Sequence, residues 1–186
     1  GEHGLHVGHQ QIMKTTIDAA RALRIPSLVC SFEPMPGEAL CPENPPARLT
    51  CFRERFELLA EAGVDEFFCA RFRTLRQLSP QAFVEELLVE RLAARHVVVG
   101  HDFRFGFGRG GGLDDLRRAG EQHGFDVTIV EPVSLHGERV SSTAIRAALA
   151  CGDLDRARAM LGRDYSMSGR VIRGLGLGRT LGFPTA

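Results

Sequence analysis

The sequence predicts an α/β fold in which helices cover both faces of a parallel sheet. Apolar runs typical of strands alternate with segments of helical spacing along most of the 186 residues. Strands that are joined through helices pair in parallel by right-handed crossovers. From residue 165 the pattern changes to a glycine at every second or third position. We therefore expect two units, residues 1–163 and residues 164–186.

The first predicted helix covers residues 8–23, and the first strand, residues 25–32, is expected to be buried on both faces. Five prolines between residues 34 and 46 predict a loop without regular structure. Ser79 and Pro80 are a typical helix start, with a capping residue followed by proline at the first helical position. The remaining predicted elements are, in chain order, helix 51–62, strand 65–72, helix 80–92, strand 97–100, helix 113–123, strand 125–130 and the helices 143–150 and 154–161.

The start of the sequence departs from the usual order of such a fold. A nucleotide-binding unit of this class begins with a central strand, whereas this sequence opens on the loop before the first helix. We therefore expect a gap in the middle of the sheet, and we expect the missing strand to precede Gly1 in the natural protein.

Composition excludes several functional classes. Basic and acidic residues balance at 23 each, which argues against a nucleic-acid partner bound through net charge. No apolar run approaches the roughly 18 residues of a membrane span, and no secretory signal is visible, so no membrane partner is expected. The five cysteines lack the short spacings of zinc or redox sites. We expect reduced thiols and a cytoplasmic protein.

A first candidate motif, Gly4-Leu-His-Val-Gly-His9, lies at the predicted start of a helix. Small residues there let backbone N–H groups approach a phosphate, and the helix dipole favours anions. His6 and His9 could both donate hydrogen bonds to a triphosphate as its charge shifts. The alternative is a pair of surface or metal-binding histidines.

A second candidate motif, Ser141-Ser-Thr-Ala-Ile-Arg146, opens another predicted helix. Its hydroxyl groups can cap the helix and can also bind phosphate oxygens, and the planar fork of Arg146 can clamp a pyrophosphate. A capped helix with a solvated arginine is the alternative.

The third candidate motif is the glycine-rich segment 100–112, which also contains three phenylalanines. Glycine density after a strand predicts a mobile loop, and the aromatic rings could stack on a planar ligand. Stacking on single-stranded RNA and a lid without any ligand role are the alternatives.

Together these segments resemble the FAD synthetase module of the bacterial bifunctional riboflavin kinase/FMN adenylyltransferase family. The other matching stretches are Ser31–Pro36, Pro46–Thr50, Leu58–Asp65, Gly152–Leu154 and Leu161–Arg163, all in family order. The resemblance implies a Rossmann-like nucleotidyltransferase fold with a parallel sheet, followed by the first strands of a β-barrel. Two departures are Gly1-Glu-His3 in place of Asn-Phe-Asp and Met35 where histidine is common.

The resemblance implies transfer of AMP from ATP to FMN, which yields FAD and pyrophosphate, with Mg²⁺ bridging phosphates. It gives the catalytic role to His6, His9 and Arg146. For ATP binding it implies Gly4, Gly8, Asp102, Phe103, Arg104, Ser141, Ser142 and Thr143, and for FMN binding Pro34, Pro36 and Arg48. In the barrel segment, whose kinase motif stops before its asparagine, Thr185 would bind the metal in a completed riboflavin kinase. A non-catalytic flavin- or nucleotide-binding module and another nucleotidyltransferase remain alternatives.

Overall fold

The structure, a computed structural model, describes residues 5–169 and Gly182. The helices are α1 (Val7–Leu23), α2 (Pro36–Leu40), α3 (Phe52–Glu61), α4 (Phe72–Leu75), α5 (Pro80–Ala82), α6 (Leu113–His123), α7 (Ser142–Ala150) and α8 (Leu154–Leu161). A π-helix (Phe83–Arg91) continues α5, and a 3-10 turn covers Phe107–Arg109. The strands are β1 (Leu28–Glu33), β2 (Glu66–Arg71), β3 (His96–Gly100), β4 (Asp126–Val130), β5 (Ser134–Leu135) and β6 (Glu138–Arg139). The predicted α/β class is confirmed.

The long strands form two parallel pairs, β1 with β2 and β3 with β4. Among the described residues the two pairs are not hydrogen-bonded to each other. An apolar cleft of about 440 Å³ is lined by β1 and β3, with α1 and the π-helix contributing further apolar side chains. Both β1 and β3 thus border one apolar cleft, and the strand expected before Gly1 stays a prediction.

This cleft explains one wrong prediction about burial. The strand around Leu28–Glu33 was expected to be buried on both faces, yet Ser31 is its only buried residue. In β3 only Val99 is buried. Both strands border the cleft, so their other side chains keep part of their accessible surface.

The helix starts follow their capping residues. Ser79 Oγ accepts a hydrogen bond from Ala82 N–H at 3.0 Å, and Pro80 takes the first helical position, as predicted. The loop prediction for the proline-rich segment is wrong at α2, because Pro36 also fits a first helical position and Glu38 accepts from the backbone N–H of Met35 at 3.2 Å. Proline therefore starts a helix here.

The helical spacing of Phe52, Phe56 and Leu59 predicts that these three residues form the buried face of α3, and this is correct only for Leu59. Phe52 and Phe56 are 45% and 52% exposed, whereas Arg55 and Leu59 are buried. Both phenylalanine rings pack against Phe67 of β2, with centroids 5.8 and 6.3 Å away. Phe52 and Phe56 therefore pack against β2 while staying partly exposed, and Arg55 of the same helix is buried.

The remaining predictions concern the cysteines and the chain end. None of the five cysteines, all of which lie within the described residues, forms a disulfide bond. Within residues 5–169, helix length and apolarity fall short of what crossing a membrane requires. The predicted barrel strands and Thr185 lie outside the described residues, and the boundary after Arg163 stays a prediction. Ser168, just before that part, donates to Glu54 Oε1 at 2.6 Å.

Candidate active site

The first site segment is the start of α1. His6 is the N-cap residue, and its side chain makes no capping hydrogen bond. The first turn carries no acidic residue either, so its N–H groups keep their full positive potential. Leu5, directly before the cap, is buried in a left-handed conformation with φ of 42°. A leucine rarely adopts this backbone, and such strain is typical of functional segments.

The imidazoles of His6 and His9 lie against each other over this helix start. Their ring centroids are 3.9 Å apart, with planes tilted by 32°. A Cβ atom on Gly8 would come within 3.1 Å of Nδ1 and Cε1 of His6. Glycine at residue 8 therefore leaves room for the His6 ring on the first turn.

The electrostatics of His6 favour a neutral ring. Burial lowers the pKa of His6 from 6.5 to about 4, and the charge of Arg139 acts in the same direction. Its Nδ1 is buried and has no hydrogen-bond partner among the described residues. A buried polar atom without a partner is costly, so a bound polar ligand would relieve this cost.

The second site segment is the start of α7. Ser141 Oγ accepts from Ala144 N–H at 3.1 Å and caps the helix, as predicted. Ser142 is buried and Thr143 is exposed. Capping uses an acceptor position of Ser141 and leaves its O–H proton able to donate to an anion.

Arg146 reaches from α7 to the proline-rich segment. Its Nε donates to the backbone oxygen of Ala47 at 2.7 Å, next to Arg48. Burial lowers the pKa of Arg146, and its Nη2 is buried without a partner among the described residues. One edge of the guanidinium is thus fixed, while the other still has a free donor.

The starts of α1 and α7 share one hydrophobic cluster. Val7 of α1 packs against the cluster that contains the fully buried Ile145 and Leu161. Gln10 adds a polar link, because its Nε2 donates to Leu161 O at 2.8 Å and to Leu5 O at 3.0 Å. The histidine segment and the arginine helix therefore border the same cluster, and Gln10 ties the start of α1 to Leu161 at the end of α8, although more than 130 residues separate α1 from α7 along the chain.

The predicted adenosine side divides into two environments. Asp102 is exposed and pairs with Arg139 at 2.9 Å. Partial burial raises the pKa of Asp102, but the hydrogen bond and charge of Arg139 outweigh it and hold this pKa below its usual value. Arg104 is exposed and lies close to Gly112.

Phe103 lies in the second environment. Its ring stacks on Phe105 at 5.6 Å, packs against Phe83 and lines the cleft between the strand pairs. Only Phe107 of the three phenylalanines in the segment is exposed, at 67%. Phe103 and Phe105, two of the three phenylalanines expected to stack on a ligand, therefore pack in the hydrophobic core.

The predicted FMN residues surround an ion-pair network that sequence reasoning missed. Arg48 pairs with both Glu33 and Glu38, and these pairs raise its pKa further. Pro34 and Pro36 flank Met35, which is only 3% exposed. Glu33 also pairs with the buried Arg55.

The described residues thus bring together His6, Gly8 and His9 at one helix start, and Ser141 to Arg146 at a neighbouring one. Through Ala47, Arg146 also contacts the segment of Arg48. Gly4 lies outside the described residues.

Comparisons with known proteins identify the family of this chain. Residues 3–144 match the FAD synthetase family model, and residues 161–186 match the riboflavin kinase model. The bifunctional riboflavin kinase/FMN adenylyltransferase of Escherichia coli K12 is 44% identical over 98% of this chain, and that of Pseudomonas fluorescens is 45% identical over the same share. The chain spans 59% of the length of these curated relatives.

A solved structure extends the likeness to the fold. The crystal structure titled as a macrolide-efflux protein from Streptococcus pneumoniae superposes with a TM-score of 0.80 at 30% sequence identity. The match covers 97% of this chain and 59% of that one. Since the family model spans most of the chain, and includes both helix starts of the site, this chain belongs to the FAD synthetase family.

Proposed function

We propose that this chain transfers AMP from ATP to the phosphate of FMN, forming FAD and releasing pyrophosphate. The observation that carries the proposal is the pair of contacting imidazoles beside Gly8, at a helix start without a side-chain cap that borders the same hydrophobic cluster as the Arg146 helix. The names of the relatives, which are FMN adenylyltransferases and riboflavin kinases, support it.

In this reaction the main task of the protein is to align the phosphate of FMN with the α-phosphorus of ATP. The phosphate of FMN is already an anion at neutral pH, so attack on the α-phosphorus of ATP needs no general base. Two polyanions must instead be held in line and their repulsion cancelled. Positioning of this kind accounts for about 7–11 kcal/mol in well-oriented reactions.

His6 and His9 would donate to the phosphates, with the backbone N–H groups of the first turn, including Gly8, beside them. His6 is neutral in the unliganded chain because its pKa is about 4. An approaching triphosphate favours the protonated ring, so His6 would gain positive charge where negative charge develops.

On the opposite side of the triphosphate, the free Nη2 of Arg146 and the hydroxyl groups of Ser141, Ser142 and Thr143 would hold the leaving pyrophosphate. Asp102, Phe103 and Arg104 would line the adenosine side, Phe103 through the edge of its ring that faces the cleft. Pro34, Pro36 and Arg48 would contact FMN.

Mg²⁺ would enter as the ATP complex. Within the described residues no group of three or more histidines, cysteines, aspartates or glutamates could hold a metal ion. Mg²⁺ retains water readily and often binds mainly through substrate phosphates, so the residues present fit an ion carried by ATP. The free thiols support a reducing compartment, and we place the reaction in the cytoplasm.

The test follows FAD and pyrophosphate when the chain is incubated with Mg-ATP and FMN. His9→Ala and Arg146→Ala should each lower the rate at least about tenfold, because each removes donors aimed at phosphate. His123→Ala and Arg117→Ala, both on α6, are matched controls that should keep the parent rate. Near-parent turnover in the first two variants would contradict the assignment.

The same experiment separates the alternatives. Binding of FMN or ATP without any pyrophosphate would favour a non-catalytic module. Salt-sensitive oligonucleotide binding would favour the RNA alternative, which is weakened because two of its three phenylalanines pack in the core.

The match of residues 161–186 to the riboflavin kinase model supports a related proposal for the natural protein. We infer that it also phosphorylates riboflavin, with Thr185 as a metal ligand once the kinase motif is complete. Incubating the natural protein with riboflavin and Mg-ATP, and following FMN, tests this proposal.

A further inference from the structure

Arg55 is a buried cation outside the residues assigned so far. It lies on α3 and is only 3% exposed. Its guanidinium carbon is 5.6 Å from the ring centroid of Phe52 and 5.9 Å from that of Phe67. A buried charge is retained only where its partners compensate for lost hydration, so these partners indicate what it does.

Its hydrogen-bond partners lie along one side of the chain where β1 ends. Nη1 donates to Ser31 Oγ at 3.1 Å and to Met35 Sδ at 2.7 Å, and Nη2 donates to Glu33 Oε2 at 3.1 Å. Ser31, Glu33 and Met35 therefore all present their side chains to the same guanidinium. Arg55 therefore fixes the path of the chain from β1 into the proline-rich segment.

The network continues from Glu33 to the surface. The second carboxylate oxygen of Glu33 accepts from Arg48, and Arg48 also pairs with Glu38 on α2. Two guanidinium groups thus balance two carboxylates. Without Arg55, both carboxylates would share Arg48, and a net negative charge would remain beside Pro34 and Pro36.

We propose that Arg55 is a positioning residue for FMN. It holds Glu33 and Met35 so that Pro34, Pro36 and Arg48 present one fixed surface, and it neutralises the carboxylate that would otherwise repel the anionic substrate. This inference rests on the proposed function, because it takes FMN as the molecule bound at the proline-rich segment.

Arg55→Met is the direct test, and Arg53→Met is its matched control. Arg53 lies two residues away on α3, is 86% exposed at its side chain and pairs with Glu57 one turn further along the same helix. We expect Arg55→Met to raise the KM for FMN about tenfold and to leave the KM for ATP within about twofold of the parent. Arg53→Met should change neither.

Arg55→Lys separates charge from shape. Lysine keeps the positive charge, but its single ammonium group cannot contact Ser31, Glu33 and Met35 at once as the planar guanidinium does. We therefore expect the KM for FMN to rise less in Arg55→Lys than in Arg55→Met. If Arg55→Met does not fold, the lysine variant still gives a shift of the same direction. A purely structural role predicts less folded protein and a lower kcat, with both KM values unchanged, and this result would overturn the proposal.

Two further measurements do not require catalysis. Quenching of FMN fluorescence gives its Kd, and amide hydrogen exchange reports the segment 34–40. We expect weaker FMN binding and faster exchange in Arg55→Met only. A parent chain that binds FMN but releases no pyrophosphate would contradict the proposed function and leave this inference standing. Unchanged Kd and exchange in Arg55→Met would contradict the inference alone.

Discussion

The imidazole of His6 lies over the α-carbon of Gly8, so close that a Cβ on residue 8 would stand 3.1 Å from two of its ring atoms. His9 packs against the same ring at 3.9 Å. His6 therefore has little room to move aside, since it is also buried to 8% exposure. The position of the His6 ring, a proposed phosphate donor, therefore depends on residue 8 being a glycine, which has no Cβ.

Gly8→Ala tests this dependence. Alanine favours the helix by about 0.5–1 kcal/mol relative to glycine, so the free energy of unfolding should change by less than about 1 kcal/mol. The His6 ring must shift by a few tenths of an ångström, and we expect the rate of FAD formation to fall about tenfold. Urea unfolding and initial rates are the measurements. A more stable variant with the parent rate would show that the ring position does not matter.

His6 also predicts how stability depends on pH. Its pKa is about 4 in the folded chain and 6.5 when the ring is exposed to water, so between these pH values the unfolded chain binds a proton that the folded chain does not take up. This contribution to the free energy of unfolding is complete above about pH 6.5 and is lost as pH falls towards 4. His6→Asn should therefore lose less stability than the parent between pH 7 and pH 5 in urea titrations. Parallel losses would contradict the lowered pKa.

Gln10 offers a test of the contact between the start of α1 and the end of α8. Its amide nitrogen donates to the carbonyl groups of both Leu5 and Leu161. Gln10→Glu replaces this donor with a carboxylate oxygen that the carbonyls repel, and we expect a loss of about 1–3 kcal/mol in unfolding free energy, with slower AMP transfer. Gln11→Glu makes the same chemical change on the next, exposed residue and should be nearly neutral.

Local signals in the sequence predicted much of the fold. Ser79 with Pro80, and the alternation of strands and helices, indicate features that depend on neighbouring residues alone.

Arg55 was not predictable in the same way. It looks like one of several charged residues on an amphipathic helix, and the aromatic spacing of Phe52 and Phe56 favoured a different buried face. Its burial depends on Glu33, which lies 22 residues earlier in the chain. A pairing at that distance leaves no periodic signal, although an arginine four residues before the buried Leu59 was a usable hint.

The burial of Phe103 at the candidate site was likewise not predictable from the sequence pattern. The glycine-rich segment favoured three mobile rings, yet Phe103 and Phe105 pack on Phe83 in the core. Which ring points inward depends on the π-helix that follows Pro80–Ala82, and this helix has no distinct sequence pattern.

The Ser141→Asp variant separates helix capping from the proposed phosphate binding. Ser141→Asp retains an acceptor for Ala144 N–H and places a negative charge at the helix N-terminus, so unfolding free energy should be unchanged or higher by up to about 1 kcal/mol. The same charge would repel the pyrophosphate, and we expect FAD formation to fall at least about tenfold. Ser79→Asp is the matched control, because Ser79 caps α5 in the same way by accepting from Ala82 N–H. It should show the same stability with the parent rate, whereas equal rate losses in both variants would remove Ser141 from the site.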